Sequence, residues 1–297
     1  MNFTEQAFIF DCAGENLLGI IAAPVQPKKC GVLIVVGGPQ YRVGSHRQFL
    51  LLSRALAKAG YPTMRFDYRG MGDSTGDLRS FETVNDDIAA AIAAFYIQCP
   101  NIEKVVLWGL CDAASANLLY YDAIQDIRIG GLVMLNPWVR SETTLARAHI
   151  KHYYGQRLLE AEFWRKLLTG KLGIVKAING LISSILRARQ SNGSTDTKCT
   201  QPFQKKMANG LSKFSKPMLL ILSGNDYTAK EFLEAVKTDS VWTTALQKKQ
   251  ITQVEIESAD HTFSSADWRQ RVEVATACWI NEYIDNAVIS DARVTRG

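Results

Sequence analysis

The sequence lacks the cysteine patterns that mark a metal centre or a disulfide framework. Its six cysteines are scattered over 297 residues, with no CxxC pair and no spacing typical of zinc ligands. We expect five of them to be reduced thiols of a cytoplasmic protein. No metal ion and no cofactor are expected from this composition.

Long hydrophobic runs are also missing. No stretch of about 18 apolar residues occurs, so no transmembrane helix is predicted. The first residues, MNFTEQAFIFDC, lack the charged and apolar regions of a signal peptide. A net charge of +5 over this length does not indicate nucleic-acid binding. The length allows one large α/β domain with an insertion, or two domains.

Short apolar runs of strand length alternate with helical patterns over most of the chain. The first two runs are separated by a turn and indicate an antiparallel pair at a sheet edge. The alternation of strand and helix that follows predicts a mostly parallel, eight-stranded sheet flanked by helices. The predicted strands are 3–12, 17–22, 31–36, 62–66, 105–108, 130–135, 216–222 and 252–256.

The alternation is interrupted between residues 138 and 213. This stretch is too long for one crossover and has little strand character, so it is predicted to be a helical cap inserted between core segments 1–137 and 214–297. Within it, 162–189 is basic and amphipathic, and 190–201 is a flexible polar link. The basic stretch predicts a cap packed on the sheet or, alternatively, peripheral contact with the inner membrane.

The segment KVVLWGLCDAASANLLYY, from Lys104 to Tyr121, contains a buried strand, a sharp turn and a helical run. This is the pattern of the nucleophile elbow, G-x-S-x-G, on which the α/β-hydrolase fold places its reactive side chain. Cys111 stands where serine is usual, and Ala113 replaces the last glycine. Alanine is small enough for the same close approach of strand and helix.

Three reactive side chains follow successive predicted strands in the order nucleophile, acid, base. They are Cys111, Asp226 and His261. Since the carboxyl ends of parallel strands share one sheet edge, where ligands bind, we expect these side chains to meet there. His261 would accept the thiol proton, Asp226 would orient and stabilise the imidazole, and Cys111 would carry the acyl group. Asp260 is an alternative acid, but its position beside His261 makes it the weaker candidate.

An acyl-transfer site also needs two N–H donors for the oxyanion. The backbone N–H of Asp112 is the first predicted donor, because this residue follows the nucleophile. The second donor is expected from the loop GGPQ. Its proline has no N–H, so the candidates are Gly38 and Gln40. Of these two, we prefer Gly38.

Tyr41, Arg42 and His46 follow the same loop. They are candidates for substrate binding, and equally for capping and solvating the start of the next helix.

A non-catalytic interpretation exists for the main candidates. Free cysteine is among the most often buried residue types, so Cys111 alone would indicate core packing. His261 alone would indicate a surface loop. The order of Cys111, Asp226 and His261 along the chain matches that of an α/β-hydrolase triad, which favours an enzyme over these interpretations.

Five segments together resemble the exosortase A system-associated hydrolases, in the type whose nucleophile is cysteine. They are GGPQYRVGSHRQF, FDYRGMGDS, GLCDAASA, LSGNDYTAKEF and ADHTF. The resemblance spans nearly the whole chain and is weakest over the insertion. It implies an α/β-hydrolase of bacteria, encoded with genes for exopolysaccharide and for PEP-CTERM protein sorting, with Cys111, Asp226 and His261 as the catalytic triad.

Three functional hypotheses follow. The first is an acyl hydrolase or acyltransferase acting on a small or lipid-linked thioester or ester. The second is a lactone or ester hydrolase resembling dienelactone hydrolases. The third is a binding module that keeps the pocket without turnover. The sequence leaves the oligomeric state open.

Overall fold

The computed structural model describes residues 2–38, 40–140, 201–247 and 251–285. Its described residues form one eight-stranded sheet in the order β1-β2-β4-β3-β5-β6-β7-β8, which confirms the predicted α/β-hydrolase architecture. The strands are β1 (Phe3–Cys12), β2 (Glu15–Pro24), β3 (Cys30–Val35), β4 (Thr63–Phe66), β5 (Lys104–Leu110), β6 (Ile129–Leu135), β7 (Met218–Ser223) and β8 (Ile251–Ile256).

The strand order reverses next to β3. Strand β4 lies on one side of β3 and β5 lies on the other, and both pair with it in parallel. The remaining pairs from β5 to β8 are parallel, whereas β1 with β2 and β2 with β4 are antiparallel. The carboxyl ends of β3 and β5 therefore adjoin at a topological switch point, which is where open α/β sheets bind ligands.

Helices cover both faces because the central strands are apolar throughout. In β3, Val32 and Ile34 pack into one hydrophobic cluster while Leu33 and Val35 pack into the other. Helices α1 and α7 cover the first face, and α2 to α6 cover the second. The helices are α1 (Gln48–Lys58), α2 (Asn85–Gln98), α3 (Asp112–Ile124), α4 (Phe203–Lys213), α5 (Tyr227–Thr238), α6 (Ser240–Leu246) and α7 (Ala266–Ile280).

The sheet and its helices belong to a compact unit made of Met1–Val139 and Pro202–Gly297. Its second segment begins earlier than the predicted residue 214, because α4 packs against α3. Gly210 lies so close to α3 that a Cβ there would be 2.2 Å from the Leu118 carbonyl oxygen. The predicted cap helices, the basic stretch 162–189 and nearly all of the link 190–201 lie outside the described residues. No helix of the described residues is both long and apolar enough to cross a membrane.

A buried ion pair fixes the loop that follows β4. The Arg69 guanidinium donates to both carboxylate oxygens of Asp87, at 3.0 and 2.8 Å, and its backbone N–H donates at 2.9 Å. Both residues are buried, Asp87 completely. These bonds tie the loop to helix α2.

Candidate active site

The turn between β5 and α3 holds Cys111 in an unusual backbone conformation. Its φ of 61° and ψ of −124° lie outside the regions that non-glycine residues ordinarily adopt. The turn is fixed from both sides, since the Cys111 N–H donates to the Leu135 carbonyl at 2.8 Å and the Cys111 carbonyl accepts from Trp138 N–H at 3.2 Å. Strain held in this way by its surroundings is typical of functional sites.

Small residues around the turn permit this geometry. A Cβ on Gly109 would lie 2.7 Å from the Ala113 carbonyl carbon, so strand and helix touch backbone to backbone. A Cβ on Gly37 would lie 3.0 Å from the Ala113 Cβ. Ala113 itself is almost completely buried. The alanine in place of the usual glycine is therefore accommodated, and Cys111 remains partly exposed.

His261 joins the other two residues of the predicted triad. Its Nδ1 lies 2.9 Å from Asp226 Oδ2. Its hydrogen bonds to Asp226 and Cys111 outweigh the opposite effect of burial and raise the pKa of His261 to about 10. The imidazolium form of His261 is thus stabilised beside Asp226 and Cys111.

Asp226 is held by the helix that it caps. It follows β7 and accepts hydrogen bonds from the N–H groups of Thr228 at 3.2 Å and Ala229 at 3.1 Å, at the start of α5. Burial raises the pKa of Asp226, but the hydrogen bonds from His261 and from these N–H groups lower it further than burial raises it. The carboxylate is therefore ionised and fixed facing the imidazole.

The alternative acid, Asp260, faces its own turn. Its Oδ1 accepts from the N–H groups of Thr262 at 3.1 Å and Ser264 at 3.0 Å. These bonds shape the loop that carries His261. The structure thus brings Asp226, rather than Asp260, to the ring of His261.

Asn136 positions the histidine loop and was not singled out from the sequence. Its side-chain NH₂ donates to the His261 carbonyl at 3.1 Å and to Ser223 Oγ at 2.8 Å, and its oxygen accepts from Ser223 N–H at 2.9 Å. Asn136 is completely buried. The sequence signal for it is a polar residue directly after the apolar run of β6, at the same sheet edge.

The loop after β3 contains the two N–H groups predicted as the second oxyanion donor, Gly38 and Gln40. Both already donate hydrogen bonds within the protein. The N–H of Gly38 donates to Oδ2 of Asp112 at 2.8 Å. The N–H of Gln40 donates at 3.4 Å to the carbonyl of Gly37, within the turn. The Gln40 side chain in turn accepts from the N–H of Ser45 at 3.1 Å.

Arg42 is bound into a neighbouring loop. Its backbone N–H donates to Asp67 Oδ1 at 2.6 Å, and its guanidinium bonds Asp67 and, at 2.5 Å, Asp73. Arg42 therefore fixes the loop after β4. Tyr41 is exposed, and His46 adopts a φ of 52° in the turn Ser45–Arg47. A role in substrate binding stays a prediction for both.

A reactive side chain at a strained strand–helix turn, with a His–Asp pair at the same edge of a parallel sheet, is the arrangement in which α/β-hydrolases usually hold a serine. The family model described as "Hydrolase_4: Serine aminopeptidase, S33" matches residues 28–231. The chain belongs to this hydrolase family. The match includes Cys111 and Asp226 but ends before His261, so the place of His261 rests on its geometry.

Solved structures share the fold at low sequence identity. The Pyrococcus furiosus esterase Pf2001 superposes with a TM-score of 0.63 at 14% identity, covering 95% of this chain and 94% of that one. Est1E from Butyrivibrio proteoclasticus, solved with ferulic acid, has a TM-score of 0.60 at 17% identity, covering 94% and 99%. Mouse alpha/beta hydrolase domain-containing protein 10 has a TM-score of 0.58 at 12% identity, covering 93% and 99%. A search of curated proteins found no match.

Proposed function

We propose that this hydrolase transfers acyl groups through a covalent thioester on Cys111. The observation that supports this most is the His261–Asp226 pair, in which the imidazole Nδ1 lies 2.9 Å from Asp226 Oδ2, with Cys111 among the groups that raise the pKa of His261. A base that contacts both the nucleophile and an orienting carboxylate is the arrangement that activates a nucleophile for covalent catalysis.

The reaction proceeds in two halves. The Cys111 thiolate attacks the acyl carbon, and the carbonyl electron pair moves onto oxygen to give a tetrahedral oxyanion. When this collapses, the bond to the leaving group breaks and His261 gives that group its proton. His261 then takes a proton from water, or from an acceptor alcohol or thiol, which attacks the acyl-cysteine. The acid or transferred acyl product leaves, and the Cys111 thiolate is regenerated beside the imidazolium.

Thioesters are the favoured substrates on chemical grounds. Transfer of an acyl group from one thiol to another is nearly balanced in free energy. The thioester that Cys111 forms is therefore about as stable as the thioester substrate that is consumed. Esters and lactones follow the same two halves with an alkoxide leaving group. A small or lipid-linked acyl compound would therefore serve as substrate.

A panel of chromogenic thioesters, esters and lactones tests this function. We expect the wild type to turn over at least one class, with thioesters fastest. Replacing His261 with Ala should lower kcat/KM by about 10³-fold or more while the fold is retained. Preferred turnover of lactones would support the dienelactone-hydrolase-like alternative. Unchanged turnover in H261A, or no turnover of any class together with ligand binding, would contradict the proposal, and the second result would support a binding module.

The segments GGPQYRVGSHRQF and GLCDAASA support a biological setting for this activity. They lead us to place the chain with the cysteine-type hydrolases of bacterial exosortase and exopolysaccharide systems. Deleting its gene from such a bacterium should change the exopolysaccharide or the sorting of PEP-CTERM proteins, and an unchanged deletion strain would contradict this placement.

Contact with the inner membrane through 162–189 is tested by liposome flotation with and without that segment, where equal flotation would exclude it.

A further inference from the structure

The side chain of Asp112 lies where the substrate's oxyanion is expected. Its Oδ2 accepts the Gly38 N–H at 2.8 Å, and this N–H is one of the two donors predicted for the oxyanion. The other predicted donor, the backbone N–H of Asp112, belongs to the same residue, and its interaction with the carboxyl lowers the pKa of that group. The carboxyl therefore occupies the Gly38 donor that an acyl-transfer reaction would use.

The surroundings are shaped to admit this carboxyl group. Gly37 leaves the space for it, since a Cβ there would lie only 2.1 Å from Asp112 Oδ1. That oxygen is buried and makes no well-formed hydrogen bond among the described residues. No lysine or arginine of the described residues forms an ion pair with Asp112. Among the described residues, the nearby positive charge that acts on Asp112 is that of His261 rather than that of a lysine or arginine.

The charge of this group works against the reaction. Burial raises the pKa of Asp112, and the N–H groups of Gly38, Ala113 and Asp112 itself, together with the charge of His261, offset part of the rise. The phenol of Tyr68 also lies within electrostatic range of Asp112. Two negative charges cannot share one pair of donors without a large repulsion. A carboxylate in this place excludes the tetrahedral oxyanion.

We propose that the Asp112 side chain occupies the oxyanion hole of the resting enzyme, and that the carbonyl oxygen of a substrate has to displace it from Gly38 before Cys111 is acylated. This inference rests on the proposed function. It makes Asp112 a specificity-determining residue, because an acyl group is processed only if its binding moves the carboxyl aside. Asp112 thereby has a role beyond the backbone donor predicted for it.

The kinetic test measures the acylation rate of Cys111 by p-nitrophenyl acetate and its thioacetate analogue in single-turnover reactions. Asp112→Ala should react about 10-fold faster or more, because one hydrogen bond to a charged group no longer has to be broken. Asp112→Asn should show a smaller gain, since its amide oxygen still accepts from Gly38 without a charge. The control is Asp122→Asn on the same helix, whose carboxylate pairs with Lys213 at 2.6 Å away from the site. It should stay within about twofold of the wild type, as surface ion pairs contribute little.

A second measurement does not depend on activity. The sequence contains two Gly-Gly pairs, so labelling with carbonyl-¹³C, ¹⁵N glycine leaves two HNCO signals, from Gly38 and Gly131. The Gly38 amide proton should be shifted downfield by its bond to the carboxylate, and Asp112→Asn should move it upfield while the Gly131 signal stays in place.

Three results would overturn the proposal. They are an acylation rate of folded Asp112→Ala equal to that of the wild type, a lower rate, and a Gly38 signal that does not respond to Asp112→Asn. A lower rate in Asp112→Ala with activity retained in Asp112→Asn would show instead that the carboxyl assists the reaction. Absence of an acyl group on Cys111 in every variant would refute the proposed function, and the Gly38 signal would still report on the contact.

Discussion

The imidazole Nδ1 of His261 lies 2.9 Å from Oδ2 of Asp226, although 35 residues separate them in the chain. The contact arises because β7 and β8 are parallel neighbours, so that the loops following them leave the sheet side by side. Asp226 is fixed by the N–H groups at the start of α5, and His261 is fixed through its carbonyl by Asn136. The pair is thus oriented by the fold before any substrate binds.

The first prediction concerns Asp226→Asn. An amide offers N–H to Nδ1 and favours the wrong tautomer of His261, so kcat should fall by about 10⁴-fold, the effect known for this change in a serine protease triad. The matched control is Asp239→Asn, because Asp239 also caps a helix, accepting from Val241 N–H at 2.8 Å, but away from the site. Equal activity losses in the two variants would show that Asp226 acts only as a cap.

The second prediction concerns the pH dependence of stability. The pKa of His261 is raised from 6.5 to about 10 in the folded protein. Protonation therefore stabilises the fold fully below pH 6.5, and this contribution is lost as the pH rises through about 10. The difference in unfolding free energy between wild type and His261→Ala, measured with urea, should shrink between pH 6.5 and 10. A difference that does not vary with pH would contradict the assignment.

A third prediction tests the close approach of strand and helix at the nucleophile. In Gly109→Ala the new Cβ would lie 2.7 Å from the backbone of Ala113, which cannot move without shifting Cys111. Overpacking of this kind costs about 1–3 kcal/mol of stability, and acylation should slow as well. Gly130→Ala is the comparison, because its Cβ would meet side-chain rather than backbone atoms, the Lys104 Cβ at 2.9 Å and Cγ at 3.3 Å, away from the elbow. We expect a smaller loss of thermal stability and unchanged acylation there, and similar losses in both variants would argue against a tight elbow.

The fourth prediction concerns the Arg69–Asp87 pair. Asp87→Ala leaves the Arg69 guanidinium buried without its partner and should cost about 3–5 kcal/mol in urea unfolding. Asp86 is the neighbouring control, since it is exposed and lies 3.6 Å from the same guanidinium. Asp86→Ala should cost less than about 1 kcal/mol. Equal losses of unfolding free energy in Asp87→Ala and Asp86→Ala would show that the buried Arg69–Asp87 pair does not fix the loop after β4.

The sheet could be predicted because each central strand is a short apolar run that ends at a loop. The order of Cys111, Asp226 and His261 after their strands was sufficient to bring them to one edge. Helix α4 was placed in the insertion, because a helix that packs on α3 and one that caps the sheet have the same amphipathic pattern. The contact that distinguishes them, Gly210 against Leu118, joins residues far apart in the chain.

The position of individual side chains was harder to predict. Arg42 follows the glycine-rich loop and was a candidate for substrate binding, but its guanidinium lies against Asp67 and Asp73. The placement of the Asp112 carboxyl on Gly38 depends on the exact approach of two loops. Neither contact leaves a periodic signal in the sequence, because each depends on tertiary distances of a few ångströms.

The most direct test of the central claim is the mass of Cys111 after brief reaction with an acyl donor. The protein is quenched in acid, digested and analysed by mass spectrometry, with Cys111→Ala as the blank. We predict an acyl adduct on the peptide containing Cys111, absent from the blank and removed on longer incubation with water. Substrate turnover that leaves Cys111 unmodified under all quench times, or is undiminished in Cys111→Ala, would contradict the account.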